Sequence, residues 1–339
     1  MGDNDHRIDH YLRSECIELA KIIITGFSGF VSRYFLEYLE NTGEIHQVKG
    51  IDKREPDFNM DHFERTCIDF EKNELSSKDE VERIIGDFRP DYILHLASHS
   101  SVSFSWEEPV ESFLNNTSIF LNLIDAVRKL QLNSRILSIG SSEEYGNVNN
   151  GDGPLKEDAR LNPLSPYAVA RVSQEYISRV YVDAFDVDIV LTRSFNHIGP
   201  MQQRVFVVPS LARQLVEIKR SGKQKGTIVA GDVSIVRDFT DVRDVVRAYY
   251  LLLNKGRKGH VYNICSGTGL SIHELICMMA EQLNIEVDVR SDDHLVRLAD
   301  NRKIVGSNEK IKRELGWGIT IPLEQSLKDI LLYWESNPN

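Results

Sequence analysis

The chain has 339 residues, 41% of them hydrophobic and 27% charged, with a formal net charge of −11. This is the composition of a globular protein of one large or two closely joined domains, and it excludes a disordered chain. The acidic balance argues against general affinity for nucleic acid or an anionic membrane.

No apolar run approaches the ~20 residues that a membrane helix needs, and the first residues lack a signal-peptide pattern. Four cysteines, Cys16, Cys67, Cys265 and Cys277, are scattered without zinc or disulfide spacing. A reduced, cytoplasmic protein without a metal site is the expectation.

Residues 1–20 form an extension whose Ile8, Tyr11, Leu12, Cys16 and Ile17 recur with helical spacing. Next comes the apolar run Lys21-Ile-Ile-Ile-Thr25, then Gly26-Phe27-Ser28-Gly29-Phe30-Val31-Ser32 and an amphipathic stretch to Glu40. Strand, tight glycine turn and helix N-terminus together make a pyrophosphate site, because free backbone N–H groups and the positive end of the helix face the anion. Ser32 stands where a third glycine is usual for close helix packing, and it is small enough for that place.

A second strand, 47–51, ends in Asp52, where a carboxylate suits the adenosine ribose hydroxyls. Lys53 and Arg54 beside it suit a 2′-phosphate instead, so NAD(H) is favoured and NADP(H) stays open. The segment 66–70 reads as a third strand carrying Asp69 and Phe70 toward the adenine. A helix to Phe88 and a buried strand over 91–97 follow, and the end of that strand, Leu96-Ala97-Ser98, belongs beside the nicotinamide half.

A long helix from Pro109 to 130, a strand over 135–138, a helix from Pro166 to about 185 and a strand over 187–192 complete the alternation. That order demands a doubly wound, Rossmann-type parallel α/β sheet, so 21–193 is read mainly as a dinucleotide-binding domain. Residues 194–339 read mainly as a smaller α/β substrate lobe, with segments crossing between the two.

Two clusters carry the chemistry. Ser141-Ser142-Glu143 follows a strand directly, so its polar groups lie at the strand's carboxyl end. Tyr167 and Arg171 lie four apart on one helical face, and a tyrosine beside a cation makes an acid/base unit.

These landmarks, with His95-Leu-Ala97, Asn116 and Arg193-Ser-Phe-Asn196, resemble the extended short-chain dehydrogenases/reductases that act on nucleotide sugars, over roughly residues 20–335. Within them, Gly140-Ser-Ser-Glu-Glu-Tyr-Gly146, Phe195-Asn-His-Ile-Gly-Pro200, Arg237-Asp-Phe-Thr-Asp-Val-Arg-Asp244 and Tyr262-Asn-Ile-Cys-Ser-Gly267 resemble the GDP-6-deoxy-4-keto-mannose reductases and the GDP-mannose 4,6-dehydratases. The resemblance implies an NAD(P)-dependent nucleotide-sugar oxidoreductase, foremost one that reduces the 4-keto group of a GDP-4-keto-6-deoxyhexose, with a GDP-sugar 4,6-dehydratase or a related C4 dehydrogenase or epimerase as the alternative. Ser141 and Tyr167 would bind and protonate the C4 oxygen, and Glu143 would serve the dehydratase reaction.

Asn196, Arg237 and Arg297 would hold the nucleotide sugar, with Ser101, Ser142, Arg204 and Asp300 as further candidates. Arg171 departs from the family's Tyr-x-x-x-Lys, and the swap leaves a non-catalytic NAD-binding protein as an alternative. A homodimer through the helices after Pro109 and Pro166 is also implied.

Overall fold

The computed structural model describes residues 19–147, 153–295 and 301–337. The expected amphipathic helix of the N-terminal extension, and the candidates Arg297 and Asp300, lie outside the described residues.

Seven parallel strands form the main sheet: β1 (Ala20–Thr25), β2 (His46–Asp52), β3 (Thr66–Lys72), β4 (Tyr92–His95), β5 (Arg135–Ser141), β6 (Ile189–Ser194) and β10 (Val261–Ile264). Their order is β10-β6-β5-β4-β1-β2-β3. Ile22, Ile23 and Ile24 of β1 are all buried, as a strand covered on both faces requires. Ile22 and Ile24 belong to one core cluster with residues of α1 (Phe30–Thr42) and α7 (Val242–Lys255), and Ile23 to another with residues of α2 (Lys78–Phe88) and α4 (Pro109–Lys129).

The strand order reverses between β1 and β4, which opens a crevice at their carboxyl ends. A short α3 (Val102–Glu107) and the long α5 (Pro166–Phe185) lie on the α4 side of the sheet. The β3 strand runs to Lys72, beyond the expected 70, because it stays in register with β2 as far as the Asp52–Lys72 pair. That extension moves the carboxyl end of β3 past Asp69.

The smaller lobe packs α6 (Val207–Arg220), α8 (Ile272–Leu283) and α10 (Leu323–Ser336) around a core that includes Ile228 of β8 (Lys225–Ala230) and Phe239 of β9 (Val236–Asp241). There β9 pairs with β7 (Asn196–Ile198), β11 (Gly269–Ser271) and β13 (Lys303–Ile304), and β8 pairs with β12 (Glu286–Ser291). The remaining helix, α9 (Glu309–Leu315), touches β10. The chain past residue 193 therefore returns to the large sheet with α7 and β10. Among the described residues, no helix is long and apolar enough to cross a membrane.

Candidate active site

One cavity of about 940 Å³ runs from the β1 turn to the smaller lobe. Its floor is the turn after β1. Gly26 has φ 71°, and a Cβ there would lie 2.7 Å from the Ala97 amide nitrogen, so only glycine lets the turn nest on the end of β4. Gly29 starts α1 without any side-chain cap, and Phe30, Val31 and Ser32 line the cavity. Their first-turn N–H groups are the donors a helix cannot satisfy itself, so this cradle fits an anionic dinucleotide.

Asp52 lines the cavity, and its carboxylate also braces the turn: Oδ2 accepts from the Ser28 N–H at 3.0 Å and Oδ1 from the Arg54 N–H at 2.9 Å. Lys53, Arg54, Leu96, Ala97, Ser98 and Ser101 share the lining. Several expected contacts fall elsewhere. Ser28 turns its hydroxyl to the Arg54 carbonyl at 2.6 Å, and Phe27 is buried beneath the turn with its ring 5.8 Å from that of Phe70.

Asp69 is exposed and pairs with Lys49 at 2.8 Å. The lining at the end of β3 comes from Asn73, Glu74 and Leu75, because the strand extends further than its hydrophobic pattern suggested. Asn116 lies one layer back; its amide accepts from the His99 N–H at 2.7 Å and donates to the His99 carbonyl at 3.1 Å. It shapes the loop after β4 without lining the cavity. Arg204 is exposed and likewise outside the lining.

Ser141, Ser142, Glu143, Tyr167 and Arg171 all face this cavity, brought together from β5 and its following turn and from the first turns of α5. Pro166 starts α5, and the Ser165 hydroxyl caps it by accepting from the Ala168 N–H at 3.1 Å, which sets Tyr167 at the cavity wall. The Arg171 guanidinium sits 5.2 Å from the centre of the Tyr167 ring.

Behind Ser141 lies a fully buried ionic cluster. Glu144 accepts the Ser141 N–H at 2.6 Å, and Gly140 lacks the Cβ that would collide with this carboxylate. Arg193 of β6 makes two bonds to Glu175 of α5, at 2.8 and 2.9 Å, and stands 3.7 Å from Glu144. Burial, with Glu175 beside it, pushes the Glu144 carboxyl well above the usual range. Tyr145 links the same turn to β10 through the Asn263 side chain at 2.7 Å. Nearby, burial pushes His95 down to about 3, aided by the Arg171 charge, so its ring is neutral while its Nδ1 shares a hydrogen with Thr25 at 2.8 Å.

The smaller lobe supplies the opposite wall, including Asn196 and Arg237. Arg237 donates to the Asn301 carbonyl at 2.6 Å, and the Asn301 amide donates to Glu143 at 3.3 Å, so this residue couples the two walls. Sequence reading missed Asn301, along with Tyr249, Arg302 and Gln174. For Gln174 a signal existed, since it lies three residues after Arg171 on the same helical face. Among the described residues, no cluster of His, Cys, Asp or Glu could hold a metal.

Dinucleotide cradle, serine, tyrosine and cation in one cleft are the parts of an NAD(P)-dependent short-chain dehydrogenase/reductase. The chain belongs to the GDP-mannose 4,6 dehydratase family, whose model matches residues 23–330. It is 31% identical to a GDP-6-deoxy-D-mannose reductase of Pseudomonas aeruginosa, covering 93% of this chain and 97% of that protein. A GDP-mannose 4,6-dehydratase of Yersinia enterocolitica is 24% identical over 92% of this chain and 93% of its own length.

Among solved structures, the RMD protein of Pseudomonas aeruginosa complexed with NADPH matches with a TM-score of 0.78 and 31% identity, covering 94% of this chain and 98% of that one. A UDP-glucose 4-epimerase of Thermotoga maritima, solved with UDP-glucose, matches with a TM-score of 0.83 and 26% identity, covering 94% of this chain and all of its own.

Proposed function

We propose that this protein reduces the 4-keto group of a GDP-linked 6-deoxyhexose. The observation that carries the reading is the shared cavity, which sets Ser141, Tyr167 and Arg171 against the dinucleotide cradle. Gly26, Gly29 and the first turn of α1 hold the pyrophosphate of the cofactor, and Asp52 its adenosine ribose. When bound, the nicotinamide supplies a hydride to sugar C4.

Tyr167 gives its phenolic proton to the C4 oxygen, and the Ser141 hydroxyl hydrogen-bonds that oxygen as its charge develops. Arg171 supports the phenolate left behind, which regains a proton from solvent. Asn196 and Arg237 hold the sugar nucleotide, the guanidinium suiting its diphosphate.

Asp52 supports NAD(H), while Lys53 and Arg54 in the same lining support NADP(H). Titration with each cofactor ranks the two. The four cysteines are scattered along the chain without disulfide spacing, which suits the reducing cytoplasm.

One observation favours a second reading. Glu143 faces the cavity, where a carboxylate could take the C5 proton after C4 is oxidised, so the site also permits a 4,6-dehydratase. We also propose a homodimer. On α4, Val110 is 69% and Leu114 54% exposed; on the adjoining α5, Tyr176 is 56% and Val180 51% exposed. A second copy would cover these side chains.

The deciding experiment mixes purified protein, a reduced nicotinamide cofactor and GDP-4-keto-6-deoxymannose and follows nicotinamide absorbance. Consumption stoichiometric with sugar supports the reductase. Loss of water from GDP-mannose without net cofactor consumption supports the dehydratase. Cofactor binding with neither reaction would leave the non-catalytic reading.

A further inference from the structure

Arg171 occupies the lysine position of Tyr-x-x-x-Lys, and the structure shows what holds it. Its Nη1 donates to the Gln174 side-chain oxygen at 2.7 Å and to the Ile139 carbonyl at 3.0 Å. The Gln174 amide nitrogen in turn donates to the Ser138 hydroxyl at 2.9 Å and to the same Ile139 carbonyl at 3.3 Å. Arg171 and Gln174 are 5% and 2% exposed, so these bonds meet little competition from water.

A guanidinium is a rigid planar fork, and a lysine ammonium is a point charge on a flexible stem. Anchoring one nitrogen of the fork at the back of the site fixes the plane of the whole group. One acceptor, the Ile139 carbonyl, lies on β5, the strand that also presents Ser141, and the other, Gln174, lies on α5.

We propose that Gln174 is a positioning residue that aims Arg171, and that the two form one unit doing the work of a single lysine. The proposal rests on the oxidoreductase reading above. It makes a prediction of unusual sign. Restoring lysine alone should harm the enzyme, because a shorter, differently shaped cation leaves the buried Gln174 oxygen without its donor. Removing that oxygen as well should then help.

The test compares wild type, Gln174→Met, Gln174→Glu, Arg171→Lys and the double variant Arg171→Lys with Gln174→Met. Sugar turnover, reduced-cofactor affinity by fluorescence titration and thermal midpoint are read on each. Gln174→Met should lose about tenfold in turnover, the order expected for a hydrogen bond to a charged group. Gln174→Glu, which keeps an acceptor for Arg171 but gives up the donor to the Ile139 carbonyl, should recover part of that loss. Arg171→Lys should also fall about tenfold, and the double variant should exceed Arg171→Lys alone.

Wild-type turnover in Gln174→Met overturns the proposal, as does a double variant whose loss is the product of the single losses. If Gln174→Met does not fold, Gln174→Glu and the lysine variant decide: a gain of activity in Arg171→Lys overturns the pairing. Cofactor affinity separates the two readings. If wild type binds cofactor but reduces no sugar, the same rank order in affinity supports the pairing while the substrate reading falls, and equal affinities overturn the pairing. A wild type that binds neither nicotinamide cofactor overturns both.

Discussion

The two walls of the cleft are built in different ways. The large-sheet wall is made where parallel strands end, from Gly26, Gly29 to Ser32, Asp52 to Arg54, Leu96 to Ser98 and Ser141 to Glu143, with Tyr167 and Arg171 added by α5. Its polar groups are backed by the buried Arg193, Glu175 and Glu144 cluster. The smaller-lobe wall is also made of short stretches, Asn196 to Ile198, Val205 to Val208 and Val229 to Asp232, with Arg237 and Arg302 beside them, but it exposes apolar side chains, Val205 at 63% and Leu295 at 56%. A wall braced by buried charge suits the invariant step of a reaction. A wall that exposes apolar side chains suits the choice of substrate.

Substitutions on each wall should therefore separate in kind, which gives three ways to break the comparison. Tyr167→Phe should have the largest effect, lowering kcat by about 10²–10⁴ while the KM for sugar and the cofactor affinity change little. An equal loss in KM would place Tyr167 in binding.

Arg237→Met should act on the opposite wall, raising the sugar KM about 10- to 100-fold with a smaller change in kcat. Its thermal midpoint checks that losing the bond to the Asn301 carbonyl has not disturbed Glu143. A fall confined to kcat would show that the smaller lobe shares in the chemistry, through the Asn301 link.

Glu144→Gln should have the smallest effect on turnover, since the amide keeps an oxygen for the Ser141 N–H. It should appear instead in stability against pH. The folded protein holds the Glu144 proton above the ordinary value near 4.5, so that stabilisation is complete at low pH and lost as pH rises through the neutral range. Wild type should thus lose more thermal stability than Glu144→Gln between acid and mildly alkaline pH. Parallel curves would mean that Arg193 already compensates both carboxylates.

Much of the cofactor side was legible in the chain. Ile22 to Ile24 followed by Gly26 and Gly29 is a local signal, because a tight turn and a helix start depend on residues a few positions apart. The boundary of β3 was not legible: its last residues, Glu71 and Lys72, are charged, and only pairing with β2 keeps them in the strand. For that reason the lining passed from Asp69 to Asn73 and Glu74. Glu144 and Glu143 are adjacent and alike in the sequence, yet the turn after β5 sends one into the buried cluster and leaves the other facing the cavity.

By itself, then, the sequence determined the parallel alternation of strands and helices, the dinucleotide turn and the choice of Ser141, Tyr167 and Arg171 as candidates. Backbone propensity, hydrophobic period and short-range spacing are properties of neighbouring residues. Tertiary structure alone decided that Asn301 joins Arg237 to Glu143, that Arg193 stands beside Glu144 behind the turn after β5 and that Gln174 holds Arg171 against Ile139. Most of those contacts span tens of residues, and hydrogen-bond geometry is set only when the elements carrying the partners have packed.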